Sequence, residues 1–348
     1  MIASDLLTLT EAGLYCPAGD FHVDPWRPVP RAVITHAHSD HARQGSERYL
    51  TSHDGRHVLA TRMVPDAVID TLEYGESIDL NGVRVSLHPA GHILGSSQVR
   101  IEHRGRVCVA SGDYKVDRDA TCAPFELLRC HSFITESTFG LPVYRWPPQQ
   151  EVMAAVNEWW LGNREAGRAS VIFAYSLGKA QRLIAGLDPQ IGPIYCHGAV
   201  ERVNRDYRET GVSLPATAYA SSRSARDYAG AMVVAPPSAN GSPWLRRFGN
   251  CSTAFASGWM AIRGTRRRRA VDRGFVLSDH VDWPGLTGTV RESGAEQVFV
   301  THGFTAACAR WFGDQGLDAH VLPTRFEGEQ DDRAEDAEQE PDAQEPDS

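Results

Sequence analysis

Thr35-His36-Ala37-His38-Ser39-Asp40-His41 places three imidazoles and a carboxylate within six positions. The run before it, Arg31-Ala32-Val33-Ile34, is short, apolar and β-branched, and reads as a buried strand. His36 and His38 stand two apart, so an extended backbone points both the same way. Asp40 and His41 follow where the chain turns, into a helix that Ser39 or Asp40 is placed to cap. Two ligands then lie on one side and two more slightly offset. A single ion rarely needs four ligands so close together, whereas two adjacent ions do. Imidazole and carboxylate gathered in this way point to metal ligation.

The surrounding chain is long enough for one large domain or two ordinary ones, at 348 residues with 42% hydrophobic and 23% charged. No run approaches the roughly 18 apolar residues that span a bilayer. Met1-Ile2-Ala3-Ser4-Asp5 has neither the basic nor the apolar region of a signal peptide. Seven cysteines without a C-x-x-C pair suggest neither a disulfide framework nor a zinc ribbon, and a reducing cytoplasm is expected. The net charge of -9 is carried by residues 327–348, which hold eleven acids against the single base Arg333. Without them the chain stands at about +1, free to carry basic patches. The acidic segment lacks apolar periodicity and is expected to be disordered.

Residues 5–26 read as opening strands that end at Phe21-His22-Val23-Asp24. Pro65 to Leu72 reads as a short helix. Asn81-Gly82 and His103-Arg104-Gly105 each sit between alternating runs and predict two hairpins. The first hairpin leads into Pro89-Ala90-Gly91-His92, a histidine among small residues that can approach a metal without crowding. The second leads into Ser111-Gly112-Asp113. Apolar strands also precede Thr135-Glu136-Ser137-Thr138-Phe139-Gly140, Ser278-Asp279-His280-Val281-Asp282 and Thr301-His302-Gly303. Between Trp146 and Arg269, strands at 169–175, 193–196, 231–235 and 253–257 alternate with helical spacing, which argues a parallel α/β domain. Its turn Ser176-Leu177-Gly178-Lys179-Ala180-Gln181 reads as a phosphate seat at a helix start or as an ordinary strand-to-helix turn. Arg266, Arg267, Arg268 and Arg269 form a basic run that meets a nucleic-acid backbone or lies solvated in a loop.

The ordered set of motifs resembles a known family. His-x-His-x-Asp-His after a strand resembles the metallo-β-lactamase fold. Thr135-Glu136-Ser137-Thr138-Phe139-Gly140 resembles motif A of its β-CASP nucleases, while the segments around His280 and His302 resemble motifs B and C. Cys122-Ala123-Pro124-Phe125, with Thr135 to Pro142, resembles the bacterial DNA-ligase-associated exonucleases, whose members are encoded beside an ATP-dependent DNA ligase and a helicase. The resemblance implies an α/β fold: a metallo-β-lactamase αββα sandwich from residues 1–145 and 270–326, a parallel α/β β-CASP insert at 146–269, and the acidic tail.

It also implies roles. His36, His38, His92 and Asp113 would hold one divalent ion, and Asp40, His41, Asp113 and His302 a second. Zinc is the family habit, and the N/O donor set also accepts manganese. Asp24 would orient a metal-ligating histidine. His280 would protonate the leaving oxygen with Glu136 orienting it, and Asp40 would share in catalysis. Lys179 and Arg266 to Arg269 would contact nucleic acid. The expected activity is a metal-dependent exonuclease acting on DNA in repair, with a ligase and a helicase as partners and no membrane. His at motif C is a habit of RNA enzymes, so an RNA-processing ribonuclease stands as the alternative. Small-molecule hydrolases of the fold lack the insert and motifs A to C, and non-catalytic members have lost ligands that are all present here.

Overall fold

The computed structural model describes residues 4–220, 224–262 and 270–325. Of these, the residues through Arg145 and from Asp279 onward form one compact unit, and those from Trp146 to Ser278 form another. In chain order, the strands of the first unit are β1 (Thr8–Thr10), β2 (Gly13–Cys16), β3 (Phe21–Val23), β4 (Arg31–Val33), β5 (Arg48–Ser52), β6 (Ile69–Leu72), β7 (Ser77–Leu80), β8 (Val83–Pro89), β9 (Ser97–His103), β10 (Arg106–Ala110) and β11 (Ser132–Ser137). The second unit contributes β12 (Ala169–Phe173), β13 (Ile194–Cys196), β14 (Thr217–Tyr219), β15 (Met232–Ala235), β16 (Cys251–Ala256) and β17 (Arg273–Phe275). The first unit then resumes with β18 (Gln297–Gly303) and β19 (Asp318–Val321). The helices are α1 (Arg56–Arg62), α2 (Gln149–Glu165), α3 (Lys179–Ala185), α4 (Gly198–Glu209), α5 (Trp283–Ser293) and α6 (Thr305–Asp314).

The first unit is built on two sheets, β1-β2-β3-β4-β5-β6 and β19-β18-β11-β10-β9-β8-β7. Strand alternation decides what each face of the longer sheet covers. Cys108, Ala110, Ile134 and Phe299 join Phe21, Val23 and Val33 of the other sheet in one core. Their chain neighbours Val109, Phe133, Val298 and Val300 face the opposite way, onto Leu286 and Val290 of α5 and Cys308 and Phe312 of α6. Each Val, Leu, Ile or Phe side chain removed from water in this way contributes about 1.5–3 kcal/mol. Both expected hairpins are present. Asn81 and Gly82 turn at φ 54° and 84°, and Arg104 and Gly105 at 49° and 78°, the left-handed values that a tight hairpin turn needs.

Strand direction sets up one working edge. β10 runs parallel to β11, and β11 to β18. β8 is antiparallel to β9, which is antiparallel to β10, so β8 shares their direction. Four carboxyl ends therefore lie along one side of the sheet. The end of β4 joins them, because Ser97 N at the start of β9 donates to Thr35 O at 2.8 Å.

Two expected helices are absent. The turn after His38 stops at once: His41 N and Ala42 N both bond His38 O, at 3.1 and 2.8 Å, and no helix follows. The helix expected at Pro65–Leu72 lies earlier, at Arg56–Arg62, while Ile69–Leu72 pairs with β5 as a parallel strand. Sheet pairing outweighs the local helical spacing there.

The second unit is an α/β layer structure on an all-parallel sheet, β14-β13-β15-β12-β16-β17. β12 is buried at every position, as expected of a parallel strand covered on both faces. Ile172 faces Trp160, Leu183 and Ile184 on one side, and Val171 and Phe173 face Tyr228, Phe248 and Phe255 on the other. β17 belongs to this sheet, pairing Ala254 with Arg273, so the chain returns to the first unit after Ser278 rather than at residue 270. All seven cysteines are free thiols, and among the described residues no helix is long and apolar enough to cross a membrane. Residues 327–348 and Arg266 to Arg269 lie outside the described residues.

Candidate metal centre

The shared edge brings imidazoles together at ligand spacing. His38 Nδ1 lies 3.1 Å from His36 Nε2 and 3.1 Å from His92 Nε2. Asp113 Oδ2 lies 3.6 Å from His36 Nε2 and 4.0 Å from His92 Nε2. Four donors about 2.0–2.1 Å from a zinc ion would stand roughly 3.3 Å apart, which is this spacing.

Outer hydrogen bonds fix which nitrogen of each ring faces inward. Thr35 Oγ1 donates to Asp24 Oδ2 at 2.6 Å, so it can only accept from His36 Nδ1, 3.1 Å away. His92 Nδ1 donates to the Asp279 carbonyl at 2.9 Å. His41 Nδ1 donates to Asp24 Oδ2 at 2.7 Å. The Nε2 lone pairs of His36, His41 and His92 are therefore turned toward each other and toward carboxylates, an arrangement that repels itself unless a cation sits among them.

A second group adjoins the first. His41 Nε2 is 3.5 Å from Asp40 Oδ2 and 3.5 Å from Asp113 Oδ2. His41, Asp113 and His302 have ligand atoms within 4.8 Å of one another, and so do His36, Asp40 and His41. Buried here without a hydrogen-bond partner are His41 Nε2, Asp113 Oδ1 and His302 Nδ1. Each would cost about 1–3 kcal/mol if left so, and metal ligation removes that cost. The clusters fit divalent metal binding, with Asp113 common to both.

The electrostatics follow the geometry. Burial, reinforced by the neighbouring rings, pushes His36 and His92 well below the usual histidine range, and burial lowers His302. These rings are thus in the neutral form that ligation requires. Burial acts against charge on His41, but Asp40, Asp113 and Asp24 outweigh it and raise the ring well above its ordinary value. The proton they favour sits on Nε2 among the carboxylates, where a metal ion would displace it. Burial likewise opposes ionisation of Asp113, yet His41, with His280 and His36, holds its carboxyl well below the usual range.

Local backbone devices aim these groups. At the end of β18 the pairing jumps from Glu136↔Thr301 to Ser137↔Gly303, so His302 is the extra residue of a bulge, at φ 51°. Gly303 completes the bend at φ 74°, and a Cβ there would stand 2.4 Å from Ser137 O. Ser137 Oγ donates to the His302 carbonyl and secures it. Gly112, at φ 57°, lets the Asp113 loop pass Thr35, whose Cβ would be 2.7 Å from an added methyl.

Beside these clusters, His280 Nδ1 lies 2.9 and 3.1 Å from the two Glu136 oxygens. Tyr114 N donates to Glu136 Oε1 at 2.8 Å and fixes the carboxylate. Burial raises the Glu136 carboxyl, with His280 opposing.

The structure thus gathers Asp24, His36, His38, Asp40, His41, His92, Asp113, Glu136, His280 and His302 in one unit. Lys179 is a correction. Its side chain is fully buried in the second unit with the ammonium 4.3 Å from the Tyr175 ring, so it does not offer itself to a phosphate. Sequence reasoning missed Thr35, the Asp279 carbonyl and the Tyr114 amide, which orient the site. Thr35 and Asp279 each adjoin a predicted histidine, which is the signal that was available.

No family model matches the chain. It is 31% identical to the probable DNA ligase of Opitutus terrae over 89% of this chain and 30% of that protein. It is 32% identical to the endoribonuclease ysh1 of Aspergillus fumigatus over 35% of this chain and 14% of that protein. To the endoribonuclease YSH1 of Saccharomyces cerevisiae it is 28% identical, over 32% of this chain and 19% of that protein. The chain therefore spans less than a third of the length of these curated relatives. A protein of unknown function from Enterococcus faecalis shares the fold, with a TM-score of 0.57 over 86% of this chain and 80% of that one at 11% identity. Homology to the endoribonucleases and the ligase-named protein supports, for this chain, the metallo-β-lactamase/β-CASP nuclease family that its motifs resemble.

Proposed function

We propose that the chain is a metal-dependent phosphodiesterase, a β-CASP exonuclease acting on DNA in repair alongside an ATP-dependent DNA ligase and a helicase in the cytoplasm. In this reading the first unit is the metallo-β-lactamase sandwich and the second the β-CASP insert. The observation that carries it is the set of inward-facing Nε2 lone pairs of His36, His41 and His92 around Asp113. DNA is favoured because a protein named as a DNA ligase aligns over 89% of this chain. His302 and the endoribonuclease homologues favour the second reading, an RNA-processing ribonuclease.

His36, His38, His92 and Asp113 would hold one ion, and Asp40, His41, Asp113 and His302 the other. Divalent ions held there, zinc or manganese, supply Lewis-acid stabilisation of the charge on a phosphodiester. The protein supplies the proton. With Nδ1–H of His280 engaged by Glu136, a second ring proton can sit only on Nε2. Glu136 stabilises that imidazolium and fixes the ring plane. As water adds to phosphorus and the bond to the departing sugar oxygen breaks, the Nε2 proton passes to that oxygen, leaving His280 neutral, while the protons of the water stay with the phosphate product and pass to solvent. Asp24 keeps His41 in the ligating tautomer throughout.

The test is a panel of end-labelled single- and double-stranded DNA and RNA, before and after chelation. Stepwise shortening of DNA that stops on chelation and returns with zinc or manganese is expected. Cutting of RNA with none of DNA would install the second reading, and no cutting of either would overturn both.

A further inference from the structure

The second unit carries a basic and aromatic surface where β13 and β14 end and α4 begins. His197 caps α4, its Nδ1 accepting from Ala199 N at 3.2 Å, so the ring proton sits on Nε2. Burial, with the Arg247 and Arg202 charges, pushes this ring down to about 4. Trp244 stands edge-on to His197 with centroids 4.9 Å apart, and the Arg247 guanidinium lies 5.3 Å from the Trp244 ring. Arg247 also donates to Ala220 O at 2.9 Å, just past β14, which ties the turn at Pro243–Phe248 to the strand end. Tyr219, the last residue of β14, is 50% exposed, and a side chain on Gly198 would come within 3.3 Å of its ring.

The charge here is not cancelled locally. Arg202 and Arg246 are exposed, and among the described residues neither makes an ion pair. The acid in the first turn of α4, Glu201, is engaged by Arg208 Nη1 at 3.3 Å and Thr217 Oγ1 at 2.6 Å. Ligands of open parallel sheets bind outside the carboxyl ends of the strands, where this surface lies. Guanidinium groups suit phosphates, and an exposed ring suits a base that has left its stack. A duplex keeps its bases stacked and gains nothing from Tyr219.

We propose that Tyr219, Arg202, Arg246 and Arg247, with Trp244 and His197 beneath them, bind single-stranded nucleic acid, the arginines on phosphates and Tyr219 against a base. This deepens the nuclease reading above and rests on it. The test uses the full chain and fluorescein-labelled oligothymidylate, with binding followed by anisotropy across a salt series. Tyr219→Ala should weaken single-strand binding about tenfold and leave duplex binding nearly unchanged. Arg202→Ala with Arg246→Ala should flatten the logarithmic salt slope by roughly 0.7 per lost phosphate contact. All three side chains are exposed, so the variants keep their core.

Wild-type affinity and slope in these variants would overturn the surface. An equal loss on duplex, or equally effective competition by polyglutamate, would overturn the single-strand assignment. Hydrolysis of bis(p-nitrophenyl) phosphate by the wild-type chain separates the two readings. A chain that hydrolyses it while the variants bind like wild type loses only the surface. A wild-type chain that binds no oligonucleotide and hydrolyses nothing loses the nuclease reading as well.

Discussion

Two sets of strand-end loops in this chain bury polar side chains and leave them in different states. Past β12, Gln181 Oε1 accepts from Gly178 N at 2.8 Å, and its Nε2 donates to Ser176 O at 3.0 Å and Asn204 Oδ1 at 2.9 Å. Lys179 there rests over Tyr175. These groups close on the protein, although Ser176 Oγ in the same turn is buried without a hydrogen-bond partner. Past β4, β8 and β10, lone pairs of His36, His41 and His92 face one another and Asp113, and polar atoms are buried without partners. Both places bury polar side chains, amide and ammonium in the one and imidazole and carboxylate in the other. What separates a site from a turn is the bonding capacity that folding leaves unused.

That contrast can be broken by substitution. The largest effect is expected at His280, where loss of a general acid costs about 10²–10⁴ in rate. His280→Ala should lower turnover by about that factor and keep its metal. Metal loss in this variant would make His280 a ligand instead. Next, Asp24→Ala releases the Nδ1–H of His41 and should weaken metal affinity about 10–100-fold, with turnover recovering in excess metal. A loss that excess metal does not recover would give Asp24 a different task.

At the closed turn, Lys179→Met should lower the melting temperature yet leave the salt slope of DNA binding as in wild type, since no phosphate contact is removed. A flatter slope would restore Lys179 as a phosphate ligand. The smallest effect concerns pH. An unfolded imidazole titrates near 6.5, and His197 in the fold near 4. Between these values the unfolded chain binds the proton more, so stability falls as pH drops from about 6.5 to about 4. His197→Asn keeps a capping side chain and should make Tm fall less steeply over that window. An unchanged slope would locate the acid sensitivity elsewhere.

The gathering of the candidate ligands was legible because each stands at the end of an apolar strand, and strand ends are where a sheet presents side chains. Its orienting groups were harder to read. The Asp279 carbonyl and the Tyr114 amide are backbone groups, on which residue identity is silent. The bulge at His302 depends on a register jump between β11 and β18, whose Ser137 and His302 stand 165 residues apart in the sequence. Helix boundaries failed where pairing prevailed, as at Ile69–Leu72. α4 went unread although Val200, Val203, Asn204 and Tyr207 bury at helical spacing, because charged residues surround so short an apolar stripe. Lys179 was misread because a lysine at a helix start looks the same in sequence whether it is buried or exposed.

The unused bonding capacity around Asp113 is what two ions sharing one carboxylate would take up. Elemental analysis of the wild-type chain beside Asp113→Ala tests this most directly. About two divalent transition ions per wild-type chain are expected, with most of both lost from the variant. Full occupancy in Asp113→Ala would rule out a carboxylate shared by two ions.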